Sequence, residues 1–317
     1  MPHLKEKKYP QAELIADIHA GTSFVKVKPE NIGELIYFDS TLPKEAPDPS
    51  AVSRKRKRTL LYSLAALVVL WGVSLLVTPD ALFWPFILTF VIITVALVIL
   101  FGTIFSGTDL FVGTEGFAEY SFQKNRDNVE KKECRFDEGS VLLFTSATRY
   151  KNEKRTGTDY CMRFMGKPDR GDIVNTIYRL DIGSKGFIRK DGQSGDAYPD
   201  FMYQVEKQFT TLFLDKARAA LEAGEEVSFY PLRYDGDWML ETPIRLSKEA
   251  IHYAGKVYVG EALKRVSIQS PPEIWFQSED ESAGLLKRMK HLVKVPLEII
   301  GNRKAFETLL LELYGIK

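Results

Sequence analysis

The feature that most constrains this chain is a long apolar block that follows five consecutive cations. Residues 59–77 carry no charged side chain, and a second uncharged run covers residues 81–105. About 20 apolar residues in a helix suffice to cross the roughly 30 Å hydrocarbon core of a bilayer. The block therefore predicts two transmembrane helices. The alternative is a helix pair buried in a large soluble core, which would have to cover both uncharged runs with protein.

The connection between the two runs is the tripeptide Thr78–Pro79–Asp80, which permits only a tight helical hairpin. Pro79 cannot continue the first helix, and Asp80 can cap the second one. Neither run contains Asp, Glu, Lys, Arg or His, which an ion path or a proton relay would require. The hairpin is therefore expected to be an anchor.

The cations before the block predict its orientation. Because lysine and arginine accumulate on the cytoplasmic side of a membrane helix, both termini are expected in the cytoplasm of a multi-pass inner (cytoplasmic) membrane protein. The whole chain has 43 basic and 42 acidic residues, so its net charge of +1 argues against nucleic acid as a partner. The cations of this membrane-orienting flank are Arg54, Lys55, Arg56, Lys57 and Arg58.

The rest of the chain divides by pattern. Residues 1–53 read as a cytoplasmic tail and linker, with a short strand in 32–39 and a proline-rich stretch after it. Residues 54–105 form the basic flank and the hairpin. Residues 106–223 and 224–317 each show several short alternating strands and then one helical pattern. The predicted fold is a membrane-anchored α+β protein with two tandem units of antiparallel strands, each capped by a C-terminal helix.

Three stretches carry a family resemblance: VLLFTSATRYKNEKRTGTDYCMRFMG, AYPDFMYQVEKQFTTLFLDKARAALEAGEEVSFYPLRYD and VPLEIIGNRKAFETLLLELYG. Strands followed by one capping helix resemble pleckstrin-homology-like (PH-like) domains. The combination with the hairpin is similar to bacterial membrane proteins in which two spans precede PH-like units. The resemblance covers roughly residues 59–317 and implies the fold. It implies no activity and no residue roles.

Signatures of catalysis are missing from the sequence. It contains no G-x-S-x-G, no P-loop, no G-x-G-x-x-G and no H-E-x-x-H. The two cysteines, Cys134 and Cys161, lack metal-ligand spacing and are too few for a disulfide scaffold. The chain is therefore expected to be no enzyme, without a cofactor and without a metal site.

Two basic segments are candidate contacts for a phosphorylated headgroup or a partner. The first is a hairpin tip, where clustered cations suit phosphate oxygens, although a solvated turn would look the same. The second, LLKRMKHLVKVP, reads either as a strand with its cations on one face or as a basic amphipathic helix. The candidate residues are Arg149, Lys151, Lys154 and Arg155 at the tip, and Arg288, Lys290 and Lys294 in the second segment.

These observations predict a non-catalytic, membrane-tethered interaction module with a regulatory or scaffolding role. Its partner would be an unidentified protein or anionic lipid headgroups, contacted by an edge strand or by the groove beside a capping helix. Two alternatives remain open at this point. One is a membrane-associated enzyme with a site between the two cytoplasmic units, and the other is an accessory subunit of a transporter.

Overall fold

The structure is a computed structural model of the chain. It describes residues 11–21, 25, 27–41, 49–74, 83–102, 107–123, 128–151, 154–166, 174–182, 197–270, 272–277 and 292–316.

The described residues form helices in the N-terminal third and at two later positions. The helices are α1 Gln11–Ala20, α2 Pro49–Ser74, α3 Phe83–Gly102, α4 Ala197–Glu222 and α5 Arg303–Tyr314. The strands are β1 Leu35–Ser40, β2 Gly107–Gly113, β3 Gly116–Gln123, β4 Asn128–Arg135, β5 Gly139–Lys151, β6 Lys154–Gly166, β7 Thr176–Ile182, β8 Val227–Phe229, β9 Leu232–Asp235, β10 Asp237–Leu240, β11 Ile244–Leu246, β12 Ala250–Tyr253, β13 Lys256–Val259, β14 Val266–Gln269, β15 Glu273–Gln277 and β16 Leu292–Pro296.

The strands form small sheets. Four-stranded sheets have the orders β1-β2-β3-β4 and β13-β12-β11-β8, three-stranded sheets the orders β5-β6-β7 and β14-β15-β16, and β9 pairs with β10 in a hairpin. The same order of elements, a four-stranded sheet, then a three-stranded sheet, then a helix, thus occurs twice along the chain. Every pairing from β5 to β16 for which a register is given is antiparallel.

The chain divides into two compact units. The first comprises residues 1–28, 38–110 and 119–132, and the second comprises residues 29–37, 111–118 and 133–317. In the first unit, α2 and α3 pack together, and Trp71 Nε1 donates a hydrogen bond of 3.2 Å to Thr89 Oγ1. Many apolar side chains of these two helices are exposed, and Phe90 reaches 73% exposure.

The structure corrects the transmembrane hairpin predicted within residues 54–105. Among the residues described, no helix is both long and apolar enough to cross a membrane. The basic run lies inside α2, so part of that helix is charged. The membrane-anchored fold class and the multi-pass inner-membrane localisation are therefore wrong.

Aromatic rings fill the interior of the second unit. Phe117 packs edge-on against Phe164 and Tyr178, with centroids 5.5 and 5.0 Å apart. The ring contacts continue along α4 and into the C-terminal strands, so one connected core joins the two capping helices. The rings of this chain of contacts are Phe117, Phe136, Phe164, Phe209, Phe213, Phe229 and Phe306.

The helix predicted to end at Gly224 is confirmed as α4. Its apolar residues Phe201, Val205 and Phe209 are buried on one face. Gly224 adopts φ +82, a left-handed conformation that glycine tolerates and that ends the helix. The backbone N–H of the next residue, Glu225, donates to the carbonyl of Ala220 at 2.9 Å and completes the cap.

The second predicted helix is confirmed as α5, and both of its ends are fixed by specific contacts. At the C-terminal end, the Tyr314 hydroxyl donates to the carbonyls of Ser247 and Ala250, and burial raises the pKa of Tyr314 to about 12. At the N-terminal end, Asn302 has φ 58 and bonds to the backbone of β5. These contacts join the two ends of α5 to residues 247–250 and to β5.

Candidate functional site

The candidate functional site is a groove between α4 and α5, with a cavity volume of about 380 Å³. Helical spacing places its lining residues on one face of each helix. Four belong to α4 and four to α5: Tyr203, Lys207, Thr210 and Thr211, and Lys304, Glu307, Thr308 and Leu311. We call this set of residues the α4–α5 groove.

Two ion pairs connect the helices that form the groove. Lys304 Nζ lies 2.5 Å from Glu206 Oε2, and Arg218 Nη2 lies 2.7 Å from Glu312 Oε1. The later residue of α4 pairs with the later residue of α5, so the two helices run in the same general direction. The groove is therefore held by charged contacts at two positions and by the apolar core beneath it.

Glu206 is the buried acid of this arrangement, with an exposed fraction of 7%. Burial raises its pKa above the ordinary value of 4.5, and Lys304 opposes part of that shift. The ammonium of Lys304 acts on the Glu206 carboxylate through a hydrogen bond and through its charge. The same ammonium lies 4.6 Å from the ring centroid of Tyr203, where the π face attracts it.

We expect Lys304→Met to lower the free energy of unfolding by about 2 kcal/mol at pH 7, because it leaves a buried carboxylate without its cation. A carboxyl whose pKa is raised by folding loses stability as the pH rises through the folded pKa. The variant should therefore match the wild type near pH 4 and fall below it as Glu206 ionises. Urea unfolding from pH 4 to 8 measures this.

The control for this prediction removes the carboxylate charge as well. The double variant Glu206→Gln/Lys304→Met has no buried ion, so we expect it to recover most of the lost stability at pH 7. A Lys304→Met variant that is equally destabilised at pH 4 and pH 8 would show that packing, and not charge, explains the effect.

The predicted basic residues are distributed over other parts of the molecule. Arg54, Lys57 and Arg58 are exposed on α2, and Lys55 and Arg56 belong to the same helix. Lys294 lies in β16, with its Nζ 4.1 Å from the ring centroid of Trp275. The strand interpretation is thus confirmed for residues 292–296, whereas Arg288 and Lys290 lie outside the described residues.

The two strands that flank the predicted hairpin tip are confirmed. Arg149 and Lys151 lie in the last residues of β5, and Lys154 and Arg155 are the first residues of β6. The register pairs Lys151 with Lys154 and Arg149 with Gly157, with an irregularity after Arg149. The side chains of the four basic residues lie outside what the structure describes, so their role as contacts stays a prediction.

A second polar cluster lies on the outer face of β6 and β7. The Arg163 guanidinium, 6% exposed, contacts Asp181 Oδ1 at 2.5 Å, and Arg179 Nε donates to the other oxygen at 2.7 Å. Burial alone would raise the pKa of Asp181, but hydrogen bonds from Arg179 and Arg163 lower it below its ordinary value. Burial raises the pKa of the neighbouring Cys161 thiol. Two guanidinium groups thus share the one carboxylate of Asp181.

The part of the chain that the structure describes contains no set of metal ligands. No group of three or more His, Cys, Asp and Glu side chains there could hold an ion. Neither Cys134 nor Cys161 forms a disulfide bond.

Sequence reasoning named the groove beside a capping helix as a contact surface, but it identified none of the residues that line the α4–α5 groove. A usable signal was present, since Tyr203, Lys207 and Thr211 follow one another at intervals of four residues. That spacing predicts a continuous second face on α4, but only the structure shows that α5 lies along it.

No protein-family model, no curated protein and no solved structure matches this chain. The resemblance to two-span bacterial proteins with PH-like units therefore stays a prediction. PH-like assignment and lipid binding gain no support from these comparisons.

Proposed function

We propose that this chain is a non-catalytic binding module whose α4–α5 groove binds an amphipathic segment of a partner protein. The single observation that supports this most is the placement of two exposed apolar side chains beside two lysines in one groove. Tyr203 is 49% exposed and Leu311 is 45% exposed, although both belong to helices whose opposite faces are buried. Aromatic and apolar anchors in a groove are the usual basis of helix-in-groove recognition.

The charges of the groove indicate the chemistry of the partner. Lys207 is exposed, and Glu307 accepts a bond of 2.9 Å from Arg303 Nε on its own helix. The cation of Lys304 is shared with Glu206. The positive charge left for a ligand is therefore that of Lys207. A segment with an apolar side chain for Tyr203 and Leu311, flanked by a carboxylate for Lys207, would be complementary.

The same contacts favour binding over catalysis. Both carboxylates at the groove have a cation within 3 Å, Glu206 through Lys304 and Glu307 through Arg303. A general base needs a carboxylate that is available to a substrate proton. Threonine hydroxyls supply further hydrogen-bonding groups, of which Thr308 donates 2.7 Å to its own helix carbonyl at Lys304. This arrangement suits a recognition surface.

The test selects ligands for the full chain from a displayed library of helical peptides. We expect the selected peptides to carry apolar residues at helical spacing and at least one acidic residue at the flank. Leu311→Arg should weaken their binding by roughly 30-fold, the scale of a hot-spot loss of about 2 kcal/mol. Isothermal titration calorimetry with the wild type and each variant measures the affinity.

A matched pair of lysines controls this experiment. Lys207→Ala removes a groove cation, whereas Lys216→Ala removes an exposed α4 cation that is not among the groove residues. The first should weaken binding of acidic peptides, and the second should leave it unchanged. Selected peptides without a shared pattern, or equal effects of both substitutions, would contradict the proposal.

A further inference from the structure

The strand β13 forms one edge of the sheet β13-β12-β11-β8. Among the strands described, only β12 pairs with it. Its outward side chains are apolar and β-branched: Val257 is 54% exposed and Val259 is 50% exposed. Tyr258 between them is buried in the core at 3% exposure. An edge strand with apolar side chains on its accessible face is a template for pairing with another strand.

The turn before β13 determines which backbone groups face the open edge. Ala254 and Gly255 form a two-residue turn with φ of 51 and 76, and the register pairs Tyr253 with Lys256. In a two-residue hairpin the residues next to the turn exchange hydrogen bonds, and the pattern then alternates. Lys256 and Tyr258 therefore direct their N–H and C=O groups towards β12. Val257 and Val259 direct theirs away from the sheet.

We propose that β13 pairs antiparallel with β13 of a second copy of this chain, about a twofold axis that passes through Tyr258. This register places Val257 opposite the partner's Val259, and Val259 opposite the partner's Val257. The groups that face the open edge then form four backbone hydrogen bonds, two for each valine pair. All four valine side chains lie on one face, where they cover each other from water.

Self-complementarity identifies the occupant as a second copy. The two copies keep the faces of their sheets aligned only if the twofold axis passes through a residue. The axis through Tyr258 is the one that places each valine of β13 opposite a valine of the other copy. The register also places Lys256 opposite the partner's Gly260, beside the partner's Glu261. Lys256 is the single charged residue of β13, and because Glu261 pairs with Lys264 of its own chain, the valine pairs and not the charges determine this register. The proposal does not depend on the α4–α5 groove, because the two surfaces share no residue.

The interface is small, because each β13 contributes four residues. Interfaces of this size bury well below about 1,200 Å² and give weak, concentration-dependent association. We expect sedimentation equilibrium of the full chain to show a mass that rises with concentration from 36.1 kDa towards twice that value. Amide exchange at Val257 and Val259 should slow by at least about tenfold over the same range, since these N–H groups become bonded.

Val257→Pro is the decisive variant. It removes an N–H that faces the open edge and leaves the bonds between β12 and β13 intact, which is the position where a strand tolerates proline. We expect it to stay monomeric at every concentration, whereas Val257→Thr, which keeps the β-branched shape and the N–H, should associate as the wild type does. Val257→Lys provides a second test that does not alter the backbone and should also stay monomeric.

Four outcomes would overturn the proposal. The wild type could remain monomeric, or the Pro and Lys variants could associate as strongly as the wild type, which would assign the contact to another surface. Alternatively, amide exchange at Val257 and Val259 could be independent of concentration while the mass rises. Slowed exchange at Val257 without any change at Val259 would also contradict the register, because the twofold axis makes the two valines equivalent partners.

Discussion

Phe164→Ala should lower the free energy of unfolding by about 4 kcal/mol, the largest effect of a single truncation that we expect in this protein. The Phe164 side chain is fully buried at 0% exposure. Its ring centroid lies 5.5 Å from that of Phe117, 6.5 Å from that of Phe136 and 5.6 Å from that of Phe209. Truncation removes the transfer free energy of the ring and leaves a cavity whose other walls are rigid aromatic rings.

Chemical denaturation monitored by circular dichroism measures this loss as a lower midpoint at an unchanged slope. Tyr203→Ala is the control, because it removes an aromatic ring of α4 that is 49% exposed, and we expect it to cost less than about 1 kcal/mol. Phe164→Leu should fall between the two. A loss below about 1 kcal/mol for Phe164→Ala would mean that the rings collapse into the space, and that the core is not as tightly packed as the ring contacts indicate.

The glycine beside this ring offers a second check on the packing. A Cβ at Gly139 would lie 2.3 Å from the Phe164 ring, so the strand can approach the ring only without a side chain there. This is why β5 begins at a glycine. The close approach explains a residue that the sequence shows only as part of the polar stretch before β5.

The capping helices could be predicted because their signal is local. Phe201, Val205 and Phe209 recur at helical spacing, and Gly224 follows as the residue that ends the pattern. The hairpin of β5 and β6 could be predicted for the same reason, since two alternating runs flank a polar turn. Neighbouring residues decide such elements, and the tertiary fold only has to agree with them.

For the first of its two runs, the prediction from the apolar block equated the length of an uncharged run with the length of an apolar helix. The structure begins α2 at Pro49, before the basic run, so this helix is charged in its first half and apolar in its second. Apolar composition shows that a surface avoids water, but it does not identify what covers that surface.

A groove beside a capping helix was predicted as a contact surface, but its lining residues could not be, because they are brought together by contacts between distant parts of the chain. The sequence pattern places Tyr203 and Leu311 each on the outer face of its own helix. Neither pattern indicates that the two helices lie side by side. The same is true of β13, where Val257 and Val259 are ordinary strand residues. Their exposure follows from the position of β13 at the end of the sheet order.

Asn302 determines how the segment before α5 joins the first half of the second unit. Its backbone N–H donates to the Leu142 carbonyl at 2.8 Å, its Oδ1 accepts from the Leu142 N–H at 2.7 Å, and its Nδ2 donates to the Ser140 carbonyl at 2.9 Å. The two partners fix the orientation of the amide, because one offers a donor and the other an acceptor. The residue is 8% exposed and has φ 58, which asparagine tolerates better than most residues.

Asn302→Ala should therefore lower the free energy of unfolding by about 3 kcal/mol. The substitution leaves the Leu142 N–H and the Ser140 carbonyl without partners, at about 1 kcal/mol or more each, and it adds about 1 kcal/mol for a left-handed alanine. Asn302→Gly separates these causes, since glycine adopts the left-handed conformation freely but cannot form the side-chain bonds. We expect the Gly variant to be more stable than the Ala variant by about 1 kcal/mol, and both to be less stable than the wild type.

Hydrogen exchange identifies where the stability is lost. If Asn302 joins α5 to β5, the Asn302→Gly variant should show faster exchange of the Leu142 amide than of amides in β11 and β12, which Asn302 does not contact among the residues described. Equal stability of the Gly variant and the wild type would show that water replaces both side-chain bonds. Equal losses in the Gly and Ala variants would show instead that the left-handed backbone costs nothing, and that the hydrogen bonds alone select asparagine at this position.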